Sequence, residues 1–80
     1  FNPTTNIVYE LLSDKFFTLL IYDLNGNLIR NLKAQNGRSG IFSTKWDSKS
    51  DCGQEVSSGT YYVKLTQGEK TSTRSVTLIK

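Results

Sequence analysis

The sequence predicts an all-β protein, a small antiparallel β-sandwich of about seven strands. Apolar and polar residues alternate in short runs that recur at a spacing of roughly 8–12 residues, which is typical of sandwiches. Glycine, asparagine, aspartate and serine separate these runs, and no segment has the apolar period of a helix. The connections are too short for the helical crossovers that parallel strands need.

The region around the single tryptophan is the predicted centre of the fold. An alternating run over residues 41–46 ends on Trp46, a polar loop covers residues 47–55, and a tyrosine-rich strand follows over residues 60–66. Val56 is expected to begin a short strand between them. Because a tryptophan side chain buries on the order of 150–250 Å², we expect Trp46 to anchor the core.

The N-terminal half is predicted to contain three strands. The first covers residues 4–11 and alternates between apolar and polar side chains, as a half-buried strand does. Residues 16–23 are largely apolar on both faces, which favours a central strand or one covered by a neighbouring domain. Asn25 and Gly26 predict a tight hairpin in which both residues adopt positive φ, and the return strand covers residues 28–32.

The last strand is predicted over residues 71–79, with Arg74, Val76 and Leu78 on one face.

The predicted core combines side chains from four of the predicted strands. Its members are Tyr9, Leu19, Ile21, Trp46, Tyr61 and Val63.

Composition limits the classes of function. Eighty residues make one domain, and a chain of this size buries only about 60–65% of its unfolded surface, so we expect marginal stability. The ten lysines and arginines are interleaved with seven acids and form no basic stripe of the kind that binds nucleic acids. No apolar run approaches the roughly 18 residues that span a membrane. We therefore expect no nucleic-acid partner and no transmembrane segment.

The loop over residues 47–53 has two interpretations. Its aspartates and serines resemble a calcium-binding loop, but Lys49 and Cys52 stand where that pattern requires an oxygen ligand and a glycine. The same residue types also favour turns, because their side chains bond to nearby backbone groups. We favour the turn and expect no metal and no cofactor, with calcium as the alternative.

Catalytic arrangements have little support in the sequence. Cys52 is the single cysteine, and the chain has no histidine to activate it as a nucleophile, so we expect an exposed, unpaired thiol. Asp23 and Asp47 could form a carboxylate pair for hydrolysis, although aspartates at strand ends are more often turn caps. We therefore expect no catalytic residue and no enzymatic activity.

The aromatic residues also have two interpretations. Tyr9, Tyr22, Tyr61 and Tyr62 could join Trp46 in a face on which a sugar ring stacks. We favour packing in the core and across strands, because aromatic residues pair well in sheets.

An ordered set of small motifs runs along the whole chain. Its members are Phe1, Asn2, Pro3, Thr4, Thr5, Ile7, Tyr9, Ile21, Tyr22, Asp23, Leu24, Asn25, Gly26, Trp46, Asp47, Gly53, Val56, Ser58, Gly59 and Tyr61, followed by a basic terminus at Lys80. In this order and spacing, the set resembles the type IX secretion C-terminal sorting domain (type A) and the closely similar immunoglobulin-like domain of the flagellar hook-cap protein. The chain departs from the family pattern at Ser48, where a glycine is common, and at Cys52.

The resemblance implies an immunoglobulin-like sandwich over residues 1–80, placed at the C-terminus of a larger secreted protein. It implies a non-catalytic module that directs its parent protein through the periplasm and across the outer membrane to the cell surface. The expected partners are the secretion machinery at the outer membrane and the parent protein's upstream domain.

We expect the last strand and its basic end to carry recognition. A terminal edge strand is accessible to a partner and offers unpaired backbone groups for strand addition, and the resemblance implies that this end of a sorting domain is needed for export. The candidate residues are Arg74, Val76, Leu78, Ile79 and Lys80.

A second hypothesis follows from the hook-cap-like relatives, which also occur as accessory modules on extracellular enzymes. The chain would then be a structural or carbohydrate-proximal accessory domain that packs against an enzyme.

Overall fold

A computed structural model describes residues 4–79 as two antiparallel sheets. The strands in this part of the chain are β1 (Thr5–Leu11), β2 (Phe16–Tyr22), β3 (Leu28–Asn36), β4 (Gly40–Trp46), β5 (Gly59–Gln67) and β6 (Lys70–Leu78). One sheet pairs β1 with β4, and the other has the order β3-β2-β5-β6. The predicted all-β antiparallel sandwich is confirmed, with six strands rather than about seven between residues 4 and 79.

The prediction of a short strand at Val56 was wrong. Glu55 makes an isolated bridge with Lys49, and the Val56 N–H donates to the Ser48 carbonyl at 2.9 Å. The segment therefore folds back on the loop that follows β4 instead of joining a sheet, because that loop satisfies its backbone groups.

Trp46 is fully buried between the two sheets, as predicted. Its ring packs edge-on against Tyr61, with ring centroids 5.4 Å apart and an interplanar angle of 73°. The indole N–H donates to the Lys49 carbonyl at 2.9 Å, so the one polar atom of the side chain keeps a partner inside the core. The buried core comprises Ile7, Leu11, Phe17, Leu19, Ile21, Trp46, Tyr61, Val63 and Leu78.

Tyr9 is the one predicted core residue that is only half-buried. Its ring lies between Phe17, at a centroid distance of 5.7 Å, and Phe42, at 5.9 Å. Phe42 is itself 39% exposed. Tyr9 therefore closes the side of the core instead of filling its centre.

β2 is a central strand, because β3 and β5 pair with its two edges. This position was predicted from the apolar residues on both of its faces. One face is buried through Phe17, Leu19 and Ile21. The opposite face is half-buried, except for Phe16, which is 52% exposed.

β3 extends to Asn36, four residues past its predicted end. Its pairing with β2 shifts register twice, and these shifts leave Ile29 and Leu32 without a directly opposite residue. Both side chains pack against the core. The two bulges place Ile29 and Leu32, three positions apart, on the same side of the strand. The segment therefore lacks the strict alternation from which a strand is predicted.

The hairpin between β2 and β3 forms where it was predicted, but with different backbone geometry. Gly26 has a φ of 83°, whereas Asn25 is not among the residues with positive φ, so the prediction of two positive φ values was wrong. The Asp23 carboxylate accepts hydrogen bonds from the N–H groups of Asn25 and Asn27, each at 2.9 Å. This side chain holds the longer turn closed.

Replacing Trp46 by alanine is expected to lower the free energy of unfolding by about 3–5 kcal/mol, as truncation of a buried aromatic residue does. Native proteins have a total stability of roughly 5–15 kcal/mol, so the substitution is expected to remove a large share of the stability of an 80-residue domain. Urea denaturation followed by fluorescence or circular dichroism measures the change. Tyr62→Ala is the matched control, since Tyr62 is 37% exposed; equal stability of the two variants would contradict the core assignment.

Candidate functional site

β6 forms an edge of the four-stranded sheet and is hydrogen-bonded to β5 alone among the described strands. Gly68 and Glu69 connect the two strands in a two-residue turn that brings Gln67 opposite Lys70. From Lys70 onward, every second residue therefore bonds to β5, and the backbone groups of Thr73 and Ser75 point to the open edge. An open edge of this kind can accept a further strand.

The predicted recognition residues lie in different environments. Leu78 is buried in the core, and Val76 is half-buried against it. Arg74 is exposed, and its guanidinium donates to a backbone carbonyl of β1 in the other sheet. Ile79 follows β6 and is 82% exposed. Lys80 lies outside the described residues. Among the four candidates that the structure describes, Ile79 is the one whose side chain projects freely into solvent.

Arg30 occupies the centre of the loop that had the calcium alternative. Its Nη1 lies 3.4 Å from Asp47 Oδ1 and 3.3 Å from the carbonyl oxygens of Lys49 and Ser50. Its Nε lies 3.9 Å from Asp51 Oδ1. The guanidinium thus takes up the oxygens that a cation would need, and between residues 4 and 79 no three Asp, Glu, Cys or His side chains cluster as metal ligands. This geometry favours the turn interpretation.

Ser48 explains why a glycine is common at this position. Its φ is 65°, and the residue is fully buried. Left-handed backbone costs an L-residue roughly 1–2 kcal/mol, and glycine avoids this cost because it has no Cβ. Ser48, which stands where the family pattern has a glycine, is therefore held in unfavourable backbone geometry.

Cys52 is exposed and free, as predicted. Its Sγ lies 3.2 Å from the Ser50 hydroxyl. That hydrogen bond, with a smaller contribution from the Gln54 backbone, lowers the pKa of the Cys52 thiol.

The two aspartates considered as a hydrolytic pair act as caps in their own turns. Asp23 accepts from the Asn25 and Asn27 backbone, and the bond from Asn27 contributes most to lowering the Asp23 pKa. Asp47 accepts from Arg30 and from the Lys49 N–H. Each carboxylate therefore has a local structural role.

The aromatic residues do not form one common face. Trp46 and Tyr61 are buried, and the Tyr61 hydroxyl donates to the Ser57 carbonyl at 2.7 Å. Tyr22 and Tyr62 are direct cross-strand partners on β2 and β5. Tyr62 is exposed and Tyr22 is half-buried, and the Lys64 ammonium lies 5.8 Å from the centroid of the Tyr22 ring.

Sequence reasoning missed the role of Arg30. The residues it contacts lie 17–21 positions further along the chain, and they meet it only because the loop folds back on β3. A cation inside a predicted strand was the available signal, but a single sequence does not identify its partner.

The part of the chain that the structure describes contains no helix long and apolar enough to cross a membrane. The family model for the FlgD Ig-like domain matches residues 5–71, which include β1 to β5 and the start of β6. No curated protein and no solved structure matches the chain.

The Cys52 thiol is expected to react with iodoacetamide at lower pH than free cysteine does, because its lowered pKa raises the thiolate fraction. Ser50→Ala should move the midpoint of the rate–pH profile upward, while Ser43→Ala, a substitution on β4, should leave it unchanged. Initial rates measured by mass spectrometry between pH 6 and 10 test this. A wild-type midpoint equal to that of free cysteine would show that the Ser50 contact has no effect in solution.

Proposed function

The chain belongs to the FlgD Ig-like domain family, and we propose that it is a non-catalytic C-terminal module for type IX secretion. In this proposal, the domain directs its parent protein through the periplasm and across the outer membrane to the cell surface. Its partners are the secretion machinery and the upstream domain of the parent protein.

The open edge of β6 is the observation that carries the proposal. β6 is hydrogen-bonded to β5 alone among the described strands, and the outward N–H groups of Thr73 and Ser75 lie along its free edge. Ile79 continues this edge with an exposed apolar side chain. Backbone pairing with a strand of the machinery, with Ile79 as an apolar anchor, fits this geometry.

The absence of catalysis is part of the proposal and rests on the local roles of the polar groups. Asp23 and Asp47 accept hydrogen bonds within their own turns. Cys52 has a polarising neighbour in Ser50, but the chain supplies no histidine as a base.

The proposal is tested by fusing residues 1–80 to a periplasmic reporter in a bacterium with type IX secretion. The intact fusion should reach the cell surface. Ser75→Pro removes an outward N–H while sparing the ladder to β5, a position that edge strands tolerate, and should reduce export several-fold. Ser75→Ala keeps the N–H and should be exported normally.

Circular dichroism of each purified domain separates a folding defect from an export defect. Truncation after Ser75 is a poorer test, because it removes Leu78, which is only 2% exposed and belongs to the core. Retention of the intact fusion in the periplasm would contradict the sorting proposal. Normal export of a folded Ser75→Pro variant would show that the signal does not act through β6.

A carbohydrate-proximal accessory domain is the second candidate, and the adjacent rings of Tyr22 and Tyr62 favour it. Under this proposal, the purified domain should bind an insoluble polysaccharide, such as cellulose, chitin or bacterial cell wall, in a sedimentation assay. Tyr62→Ala should abolish that binding, because stacking requires the ring. Phe16→Ala, at an exposed aromatic position on β2, should retain it; equal binding by both variants would contradict a stacking site.

A further inference from the structure

The two sheets differ in width, and this difference leaves a groove along β1. Two strands face four, so the smaller sheet does not cover the inner face of the larger one. The uncovered region is a groove of about 430 Å³ between β1 and the strands β5 and β6, lined in part by Val8, Leu65, Ser72 and Arg74. A second cavity of about 570 Å³ shares Leu65 and Ser72 with the first and extends the groove toward the turn between β5 and β6.

The wall of this groove is an open strand edge. β1 is hydrogen-bonded to β4 alone among the described strands. The Val8 carbonyl accepts from the Arg74 guanidinium of the opposite sheet, so it points away from β4. Because backbone direction alternates along an antiparallel strand, the N–H and C=O groups of Asn6, Val8 and Glu10 all face the groove.

Arg74 occupies a position where a neighbouring strand would place its own donor. The side chain lies directly opposite Val63 on the inner side of the larger sheet, and it supplies an N–H to an edge carbonyl that no strand within residues 4–79 reaches. A ligand that takes over this carbonyl must offer N–H groups at strand spacing, about 3.3 Å per residue. A polypeptide backbone meets that requirement, whereas a sugar or a lipid does not.

The side chains along the groove indicate which side chains the bound polypeptide carries. Val8 is 46% exposed and Leu12 is 63% exposed, so both offer apolar surface beside the edge. Three cations line the two cavities, namely Arg74, Lys15 and Lys70, against the two acids Glu10 and Glu69. Once displaced from Val8, the exposed Arg74 guanidinium would be free to pair with an anionic side chain of the incoming strand.

We propose that this groove binds an extended polypeptide strand of another protein, which adds to the open edge of β1. The strand carries apolar side chains at alternate positions and an acidic residue opposite Arg74. Symmetric pairing of two copies through β1 would instead bring two Arg74 guanidinium groups to the same seam, which favours a foreign acidic strand over a second copy. This site is distinct from the outer edge of β6 and does not depend on the export proposal.

The test titrates the ¹⁵N-labelled 80-residue chain with a blocked peptide, acetyl-Thr-Val-Thr-Val-Asp-Val-Thr-amide, at millimolar concentration. Amide shifts should change for Asn6, Val8 and Glu10 and for Ser72 and Arg74, while β3 and β4 remain unchanged. The same peptide with asparagine in place of aspartate should bind several-fold more weakly. A peptide methylated on every backbone nitrogen should not bind, because it has no N–H group on either edge.

Arg74→Ala should bind the aspartate and asparagine peptides equally, since the cation that pairs with the aspartate is gone. Arg38→Ala is the matched control in the loop before β4 and should keep the preference for aspartate. Shifts confined to the outer edge of β6, or no shifts at all, would overturn the proposal. Self-association would overturn the proposal as well. It would appear as concentration-dependent sedimentation without peptide, together with concentration-dependent shifts of the same β1 amides, and would assign the groove to a second copy.

Discussion

The burial of Trp46 with its indole N–H bonded to the Lys49 carbonyl is the constraint on which the rest of the structure depends. A tryptophan in the core needs both a large apolar enclosure and an acceptor for its polar atom. The acceptor comes from the loop that directly follows β4, so the chain must turn back sharply over the ring. That turn places Ser48 in left-handed backbone and directs the Val56 N–H to the Ser48 carbonyl.

Arg30 ties this turn to the larger sheet. Its guanidinium bonds to the Lys49 and Ser50 carbonyls from one side, while the indole bonds to Lys49 from the other. Ion pairs with half-exposed carboxylates contribute little by themselves. The hydrogen bonds to backbone oxygens matter more here, because those oxygens are partly buried and need donors. One arginine thereby fixes a loop in which a metal ion had been the alternative.

The unequal widths of the two sheets account for the surfaces to which we assign recognition. A sandwich of two strands against four has unpaired edges on β1, β3, β4 and β6 within the described chain, and we assign recognition to those of β1 and β6. Edge strands in soluble proteins are usually protected by charges or side chains, and Arg74 protects the edge of β1 by bonding to the Val8 carbonyl. The outer edge of β6 has short polar side chains, Thr73 and Ser75, and ends at the exposed Ile79. The edges of β1 and β6 thus offer two places for strand addition that differ in charge and in shape.

The sequence by itself determined the fold class and most of the core. Alternation identified β1, β4 and β5, because a period of two appears directly in the residues, and an apolar run identified β2. β6 was predicted from the face that Arg74, Val76 and Leu78 share. The sequence also indicated that Trp46 is central and that Cys52 is exposed, since both follow from residue type and local context.

Only the tertiary structure decided the features that join distant segments. The bulges that bring Leu32 to the same side as Ile29, the closing of the loop by Arg30 and the half-burial of Tyr9 each depend on partners elsewhere in the chain. The separation of Leu78 from Ile79, one in the core and one in solvent, likewise depends on where β6 ends against the sheet. The physical reason is that alternation indicates only which face of a strand a side chain occupies. Contacts between segments distant in sequence depend on the path of the whole chain.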